Sequence, residues 1–146
     1  MLQVKNLEHK YGAIRSLKGV SIDVNQGEVV ALVGANGAGK TTLLRCISGI
    51  LRPCGGSIVF EGESIFGLPS HKVAKHGIAQ VLESRHVFPK LSVMENIQMG
   101  AFLRKDEKGK IDEEVDGLFE IFPRLKERVS QLAGTLSGGE QQMLVM

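Results

Sequence analysis

The 146-residue sequence contains no tryptophan, a single tyrosine and two cysteines. Cys46 and Cys54 form neither a CxxC pair nor a cluster with histidine at ligand spacing, which argues against a zinc site and a disulfide framework. The longest apolar run, Val29 to Val33, falls far below the ~18–20 residues that span a bilayer. The first residues lack the apolar core of a signal peptide. These absences predict a soluble, cytoplasmic globular domain.

The sequence also lacks a strong excess of either charge. Lysine and arginine number 18 against 16 for aspartate and glutamate, and a net charge of +2 gives no electrostatic reason to expect nucleic-acid binding. With 42% hydrophobic and 23% charged residues, the composition argues against disorder. Glycine, in contrast, is abundant at 18 residues, and it is concentrated in a few segments.

The first half of the chain has the patterning of strands followed by a helix. Apolar and polar residues alternate over 2–7 and 16–24, which predicts strands with one buried face. Val29 to Val33 does not alternate, which is typical of a strand buried on both faces. The pattern of residues 40–47 predicts a helix. Further strands are expected at 57–60 and 78–82, and a further helix is expected to start near 69–70.

The second half has helical patterning. Ser92 and Glu95 have the spacing of a capping box, which predicts a helix beginning there. A second helix is predicted to begin at Asp112 and to end at Pro123, after a solvated charged loop over 104–110. We therefore expect an α/β domain in which 1–83 form a β subdomain and a core around the glycine-rich segment that follows Val33, and 84–146 form a helical subdomain.

The glycines of 34–41 belong to a motif whose residue types can be explained by phosphate binding. The segment reads GANGAGKT and matches G-x-x-x-x-G-K-[ST] at every fixed position. The glycines let consecutive backbone amides point inward at phosphate oxygens, and the helix that follows adds its positive N-terminal dipole. Lys40 can reach the β- and γ-phosphates, and the Thr41 hydroxyl can ligate Mg²⁺. The alternative is a glycine turn with a surface lysine, but the buried-type strand before it and the helix after it favour phosphate binding.

A second glycine-rich segment, Leu136 to Gln142, reads LSGGEQQ. Ser137 is placed as the N-cap of a helix, and the glycine pair behind it leaves backbone amides accessible to an anion. Alone, this segment is also typical of a plain loop. Behind a phosphate-binding loop by about a hundred residues, the combination becomes specific.

The two motifs together resemble the Walker A and signature motifs of ABC-type ATPases, and the resemblance runs along the whole chain. Within that superfamily the sequence is most similar to the LivF-like ATP-binding subunits of branched-chain amino-acid importers. The segments that carry this similarity are HKYG at 9–12, QGE at 26–28, GANGAGKTTLL at 34–44, VFP at 87–89, EN at 95–96, LF at 118–119, FPRL at 122–125 and GTLSGGEQQML at 134–144.

The resemblance implies a set of ligand-binding residues. Tyr11 is implied to stack on adenine, although a surface aromatic at a strand end is the alternative. Glu83 occupies the Q-loop position and would act on metal-bound water, although an ordinary exposed carboxylate is the alternative. Nucleotide contacts are implied for Tyr11, Asn36, Gly37, Ala38, Gly39, Lys40, Thr41, Thr42, Ser137, Gly138, Gly139 and Glu140. Catalytic roles are implied for Lys40, Glu83, Ser137 and Gly139, and Mg²⁺ contacts for Thr41 and Glu83.

The resemblance also implies partners. In the family, the signature residues close over the γ-phosphate of ATP held on a second ABC ATPase subunit. Residues 84–100 are implied to form a groove for transmembrane permease subunits, with Phe88, Leu91, Val93 and Ile97 as apolar candidates. A small helical core is an equally good use of these four residues. The histidines at 9, 71, 76 and 86 form no cluster, and surface positions are expected for each.

The sequence departs from the family pattern at two places. Leu82, Ser84 and His86 stand where proline, glycine and arginine are expected, which bears on the Q-loop. The Asp-Glu strand called Walker B is not present among the 146 residues, and that strand would lie beside Val29 to Val33. We therefore expect this polypeptide by itself to bind ATP weakly, to hydrolyse it negligibly, and to self-associate through an open sheet edge.

The functional prediction is an ATP-binding subunit that energises branched-chain amino-acid import, with ATP and Mg²⁺ as ligands and a position on the inner face of the membrane. Two alternatives remain: an ABC ATPase of another transport or export system, and a non-catalytic nucleotide-binding module. Other P-loop NTPases are disfavoured because they lack the segment Leu136 to Gln142.

Overall fold

The computed structural model describes residues 1–82, 86–104 and 108–146, with the side chain of Lys108 left out. The chain forms two compact units, Met1–Gln80 and Val81–Met146. The Glu83 prediction, like the prediction about Ser84, lies outside the described residues. Among the described residues, no helix is both long and apolar enough to cross a membrane.

The first unit is built on an antiparallel sheet. Its strands are β1 (Leu2–Tyr11), β2 (Ile14–Val24), β3 (Gly55–Phe60) and β4 (Glu63–Ser64), in the order β2-β1-β3-β4. The predicted alternation is confirmed, because Val4, Leu7 and Leu17 are buried while polar neighbours face outward. In the register of β1, Val4 lies opposite Ile22 of β2 and Ile58 of β3. These facing side chains begin the core of the unit.

Helix α1 (Lys40–Ile47) packs on this core, as the sequence predicts. Leu43, Cys46 and Ile47 share one helical face at i, i+3 and i+4, and all three are buried. The core is completed by Ile65 and by Val73 of the short helix α2 (Ser70–Val73), which a 3₁₀ turn (Ala74–His76) follows. Burial raises the pKa of the Cys46 thiol to about 11, so this cysteine packs as a hydrophobic side chain.

Two predicted strands are absent from the described structure. Residues 29–33 and 78–82 do not form regular strands, because none of the described strands hydrogen-bonds to them. The prediction that Val29 to Val33 is buried on both faces is wrong for this structure, in which Val29 is 96% exposed and Val33 is 93% exposed. A continuous apolar run indicates that the side chains of a segment are suited to burial, but it does not show which neighbouring element covers them.

The second unit is helical. Its helices are α3 (Val93–Gly100), α4 (Lys108–Ile121), α5 (Pro123–Glu127) and α6 (Gly138–Val145), with a 3₁₀ turn at Ala133–Thr135. The core contains Val93, Phe119, Leu125, Ala133 and Leu136. Helix α4 begins earlier than the predicted start at Asp112 and ends before Pro123, which opens α5 instead.

Caps and side-chain contacts determine how this unit begins. The predicted capping box of α3 is confirmed, since Ser92 accepts a hydrogen bond from Glu95 N–H and Glu95 accepts one from Ser92 N–H. The hydrogen bonds that Ser92 N–H and Ser92 Oγ donate to the Glu95 carboxylate hold the pKa of Glu95 below its usual value. Asn96 fastens the preceding loop to α3: its Oδ1 accepts from Phe88 N–H at 2.8 Å and its Nδ2 donates to Ser92 O at 2.8 Å.

Candidate functional site

The glycine-rich loop ends against strand β2. Gly39 precedes α1 with a φ of 94°, and a Cβ at this position would lie 2.8 Å from the Ser16 carbonyl oxygen and 3.0 Å from Leu17 Cδ2. Both the backbone angle and the contact demand glycine here. Gly37 also has a positive φ, of 83°, but open space surrounds it. The fold therefore fixes one end of the loop and leaves its outer side accessible.

Helix α1 begins without a cap. Its N-cap residue, Gly39, has no side chain, no side chain of the described residues caps the helix, and its first turn carries no acidic residue. The first amides of a helix have no intrahelical acceptor, so the amides of Lys40, Thr41 and Thr42 remain available to an outside acceptor. Free amides and a positive helix dipole at one point suit a phosphate group.

Lys40 lies over the same loop. Its Nζ donates hydrogen bonds to Gly34 O at 2.8 Å and to Ala35 O at 2.9 Å. The ammonium is thus held beside the residues whose amides are free. Asn36, Gly37 and Ala38 form the exposed outer part of the loop. The loop, the helix end and the lysine together form a positively polarised surface.

Tyr11 lies next to this surface. Its hydroxyl is 3.5 Å from Thr42 Oγ1, at the outer limit of a hydrogen bond, and its ring packs edge-on against His9 with centroids 4.6 Å apart. Tyr11 is 47% exposed, so about half of its surface is accessible to a ligand. The structure therefore brings the tyrosine and the phosphate-binding motif together.

The predicted surface position of His9 is wrong. His9 is 5% exposed because it follows Leu7 on the inward face of β1. The Ser16 hydroxyl donates its only proton to His9 O at 3.1 Å, so at 2.9 Å it accepts one from His9 Nδ1. His71 and His86 are exposed, as expected. His76 is partly buried and lies 3.3 Å from a carboxylate oxygen of Glu63.

The second motif begins helix α6 with a complete capping box. The predicted N-cap Ser137 is confirmed: its Oγ accepts from Glu140 N–H at 3.4 Å, and Glu140 Oε2 accepts from Ser137 N–H at 2.8 Å. Ser137 and Gly139 are exposed, and a Cβ at Gly139 would meet nothing within 4 Å. Packing against the described part of the chain therefore does not explain the glycine at 139, which leaves room for an external group.

Glu140 does not point into open solvent. Its Oε1 lies 2.8 Å from Arg128 Nε, and its side chain is 15% exposed. Hydrogen bonds from Ser137, together with the charges of Arg128 and Arg124, hold the pKa of Glu140 below its usual value. Arg128 was not among the predicted site residues. The sequence does contain one signal for it: Glu140 places a carboxylate at a helix start predicted to bind an anion, and such a carboxylate needs a cation to neutralise it.

The predicted ligand-binding residues lie in two groups, one in each unit. Tyr11, Gly39, Lys40, Thr41 and Thr42 lie together in the first unit, and Ser137, Gly138, Gly139 and Glu140 lie together in the second. The described residues contain no group of three His, Cys, Asp or Glu side chains placed to hold a metal ion. Thr41 is thus the described candidate for Mg²⁺, since Glu83 falls outside the described ranges.

The four apolar candidates for a partner groove have different positions. Val93 is fully buried and Ile97 packs against the same core, so these two support the helical-core alternative. Phe88 is 51% exposed and lines a cleft of about 270 Å³ with Val87, Met99 and Leu144. Leu91 is partly buried. Of the four, Phe88 is the one available to a partner.

Comparison with known proteins identifies the family of this site. The sequence profile described as ABC transporter matches residues 17–146. The chain is 48% identical over 146 residues to the high-affinity branched-chain amino acid transport ATP-binding protein BraG of Pseudomonas aeruginosa, covering 100% of this chain and 62% of BraG. It is 36% identical over 146 residues to the probable branched-chain amino acid transport ATP-binding protein LivF of Archaeoglobus fulgidus, covering 100% of this chain and 61% of LivF. The chain thus spans about three fifths of the length of these relatives.

The fold agrees with the sequence comparison. A solved ATP-binding subunit of an ABC transporter superposes with a TM-score of 0.89 at 28% identity, over 99% of this chain and 59% of that chain. A solved nucleotide-free ATP-binding cassette of an ABC transporter gives a TM-score of 0.80 at 28% identity, over 99% of this chain and 62% of that chain. The predicted α/β ABC ATPase fold, with its N-terminal antiparallel sheet, is confirmed. On its sequence, its fold and its two motifs, the chain belongs to the ABC transporter family.

Proposed function

We propose that this chain carries the nucleotide-binding surface and the signature segment of an ATP-binding subunit that energises import of branched-chain amino acids. The observation that carries the proposal is the start of α1, where amides without a cap, Gly39 and the Lys40 ammonium converge. The names of BraG and LivF support the substrate class. Family membership supports nucleotide binding.

The described residues fit Mg-ATP at the level of donor chemistry. Amides of Gly37 to Thr42 would hold phosphate oxygens, Lys40 would leave its two carbonyl partners for the β- and γ-phosphates, and Tyr11 would stack on adenine. The Thr41 hydroxyl would hold Mg²⁺, with Glu83 proposed to orient the attacking water. Mg²⁺ supplies neutralisation of the phosphate charge when it is bound.

The signature segment is proposed to act on a second subunit. The Ser137 side chain is exposed beside the first amides of α6, where its Oγ accepts from Glu140 N–H. That hydroxyl and the amide of Gly139 would face the γ-phosphate held by the opposing subunit. Transmembrane permease subunits are the proposed membrane partners, and a cytoplasmic position on the inner face of the cell membrane is the proposed location.

The test uses the protein expressed from its complete coding sequence. Calorimetry with Mg-ATP is expected to show binding that Lys40→Ala weakens by about 10²-fold or more, since the ammonium contacts charged phosphates. Uptake of labelled leucine by cells that depend on this gene is expected to fall to background with the same variant.

The matched control is Lys72→Ala, which removes the same charge from the exposed surface of α2 in the same unit. This variant is expected to bind and transport like the unaltered protein. Equal binding by Lys40→Ala and Lys72→Ala would contradict the nucleotide site. If the protein binds nucleotide normally but cells that lack the gene still take up leucine at the unaltered rate, only the proposed substrate class is contradicted.

A further inference from the structure

Glu140 places a negative charge where the proposed function needs an anion to bind. Its carboxylate accepts the Ser137 amide proton at 2.8 Å, so it lies at the N-terminus of α6. A carboxylate at this point stabilises the helix dipole, but it also repels a phosphate that approaches the same amides. The helix start therefore suits a phosphate only when the charge of Glu140 is compensated.

Arg128 supplies that compensation. Its Nε lies 2.8 Å from Glu140 Oε1, on the carboxylate oxygen that does not accept from Ser137. Nε is buried, and its contact with Glu140 is an ion pair rather than an aligned hydrogen bond. The glutamate thus divides its two oxygens between the helix end and the guanidinium.

The guanidinium is itself held from its other side. Arg128 Nη1 donates to Gln131 Oε1 at 3.0 Å, and Gln131 Nε2 donates to Thr135 Oγ1 at 2.8 Å. The Thr135 hydroxyl in turn donates to Leu132 O at 2.7 Å. This chain of hydrogen bonds links Arg128 to Thr135 and Leu132, which directly precede the signature motif. The guanidinium is therefore held by that segment on one side and by Glu140 of α6 on the other.

The other nearby cation does not replace Arg128. Arg124 adds to the field at Glu140, but its Nη1 lies 2.9 Å from Glu127 Oε2 in an exposed pair. Exposed pairs of this kind contribute little, and the charge of Arg124 is already matched by Glu127. The cation in direct contact with the Glu140 carboxylate is therefore Arg128.

From this geometry we infer that Arg128 is a positioning residue for the signature helix: by pairing with Glu140 it fixes and neutralises the carboxylate at the start of α6, so that Ser137 and Gly139 can meet a phosphate. The inference rests on the proposed function, because it assigns Arg128 a role in nucleotide hydrolysis. Arg128 acts through Glu140 and need not touch the nucleotide.

The experiment compares variants of the protein expressed from its complete coding sequence, by calorimetry with Mg-ATP and by steady-state hydrolysis. Arg128→Met is expected to lower kcat about tenfold, because it leaves a carboxylate uncompensated at a helix end. Nucleotide affinity of the isolated subunit is expected to stay within about twofold, since Lys40 and its loop lie in the other unit. Arg128→Lys keeps the charge and is expected to recover part of kcat.

The decisive variant is the double substitution Arg128→Met with Glu140→Gln. Glutamine keeps the capping-box hydrogen bond but removes the charge, so kcat is expected to rise above that of Arg128→Met alone. Lys126→Met is the matched control, because it removes the same charge from an exposed position on α5 and is expected to leave kcat unchanged.

Three outcomes would overturn the inference while leaving the proposed function intact. These are a kcat for Arg128→Met equal to that of Lys126→Met, a double variant no faster than Arg128→Met, and a kcat loss that parallels a loss of thermal stability across all the variants. If the unaltered protein neither binds nor hydrolyses Mg-ATP, the proposed function fails, and the inference fails with it.

Discussion

Helix α1 begins after Gly39, and helix α6 begins after Ser137. The first helix has no side-chain cap among the described residues, and a lysine lies over its start. The second has a complete capping box, and an arginine pairs with its capping glutamate. Both segments contain two glycines around the start of a helix, yet the start of α6 is stabilised by its own side chains and the start of α1 is left without a side-chain cap.

This difference teaches how stability and binding divide between the two units. A helix with glycine at the N-cap is less stable than one capped by serine by roughly a few tenths of a kcal/mol, and a ligand can supply the missing acceptors. A capped start is stable without a ligand, so its exposed hydroxyl and amides can approach a ligand held elsewhere. We expect the loop before α1 to respond strongly to nucleotide and the start of α6 to respond weakly.

The largest expected effect comes from Gly39→Ala. A Cβ there would lie 2.8 Å from the Ser16 carbonyl oxygen at a φ of 94°, so the loop must move away from β2. We expect a stability loss of roughly 1–3 kcal/mol and loss of nucleotide binding, measured by denaturant unfolding and calorimetry. Gly62→Ala is the control: its φ is 85°, but open space surrounds it, so it adds only the backbone strain. Equal losses in the two variants would show that the contact with β2 is unimportant.

Gly139→Ala is expected to separate activity from stability. Nothing lies within 4 Å of the added Cβ, and alanine favours a helix over glycine by up to about 1 kcal/mol. We expect unchanged or higher thermal stability, with hydrolysis lowered about 10²-fold because the methyl group occupies the approach to the amides. Gly117→Ala in α4, also in open space, should raise stability without affecting hydrolysis. Full activity of Gly139→Ala would argue that this surface meets no ligand.

Two serines that cap helices in the same way allow a matched comparison. Ser137→Ala and Ser92→Ala each remove one capping box, and each is expected to cost about 1 kcal/mol of stability. Only Ser137→Ala is expected to slow hydrolysis in addition, because only Ser137 lies in the signature segment. A similar slowing in both variants would mean that stability alone explains the loss.

The smallest expected effect is a pH response at the start of α6 that the start of α1 lacks. The pKa of Glu140 is lowered in the folded state, so its contribution to stability is present above the pKa of the unfolded chain and is lost as the pH falls through the folded value. Amide hydrogen exchange in α6 is expected to lose protection in acid, after correction for the intrinsic exchange rate. Helix α1 has no acidic residue in its first turn and should show no such change at its start.

The sequence predicted the features that depend on local chemistry. The two glycine motifs, the capping box at Ser92, the N-cap Ser137 and the alternating strands β1 and β2 are all determined by residues near one another in the chain. Features that depend on distant contacts were missed. The burial of His9 requires Ser16 across a hairpin, and the pairing of Arg128 with Glu140 requires α5 to meet α6.

The predicted strand at Val29 to Val33 shows the same limit. Its composition indicates what would stabilise it, but regular strand geometry needs a hydrogen-bonding neighbour, and none of the described strands supplies one. Glu83 stays a prediction, as do the ligand-binding roles of the site residues. Sequence spacing can place a residue on an element, but it does not show what that residue touches.

The two hydrogen bonds of Lys40 affect how the loop selects its ligands. An ammonium already bound to Gly34 O and Ala35 O must exchange these carbonyls for any new partner. A phosphate dianion makes this exchange favourable, because its negative charge attracts the ammonium more strongly than the dipole of a neutral carbonyl does. A nucleoside without phosphates offers nothing better than a carbonyl, so the lysine stays where it is. We therefore expect the exchange of these two hydrogen bonds to favour polyphosphates over neutral adenine compounds.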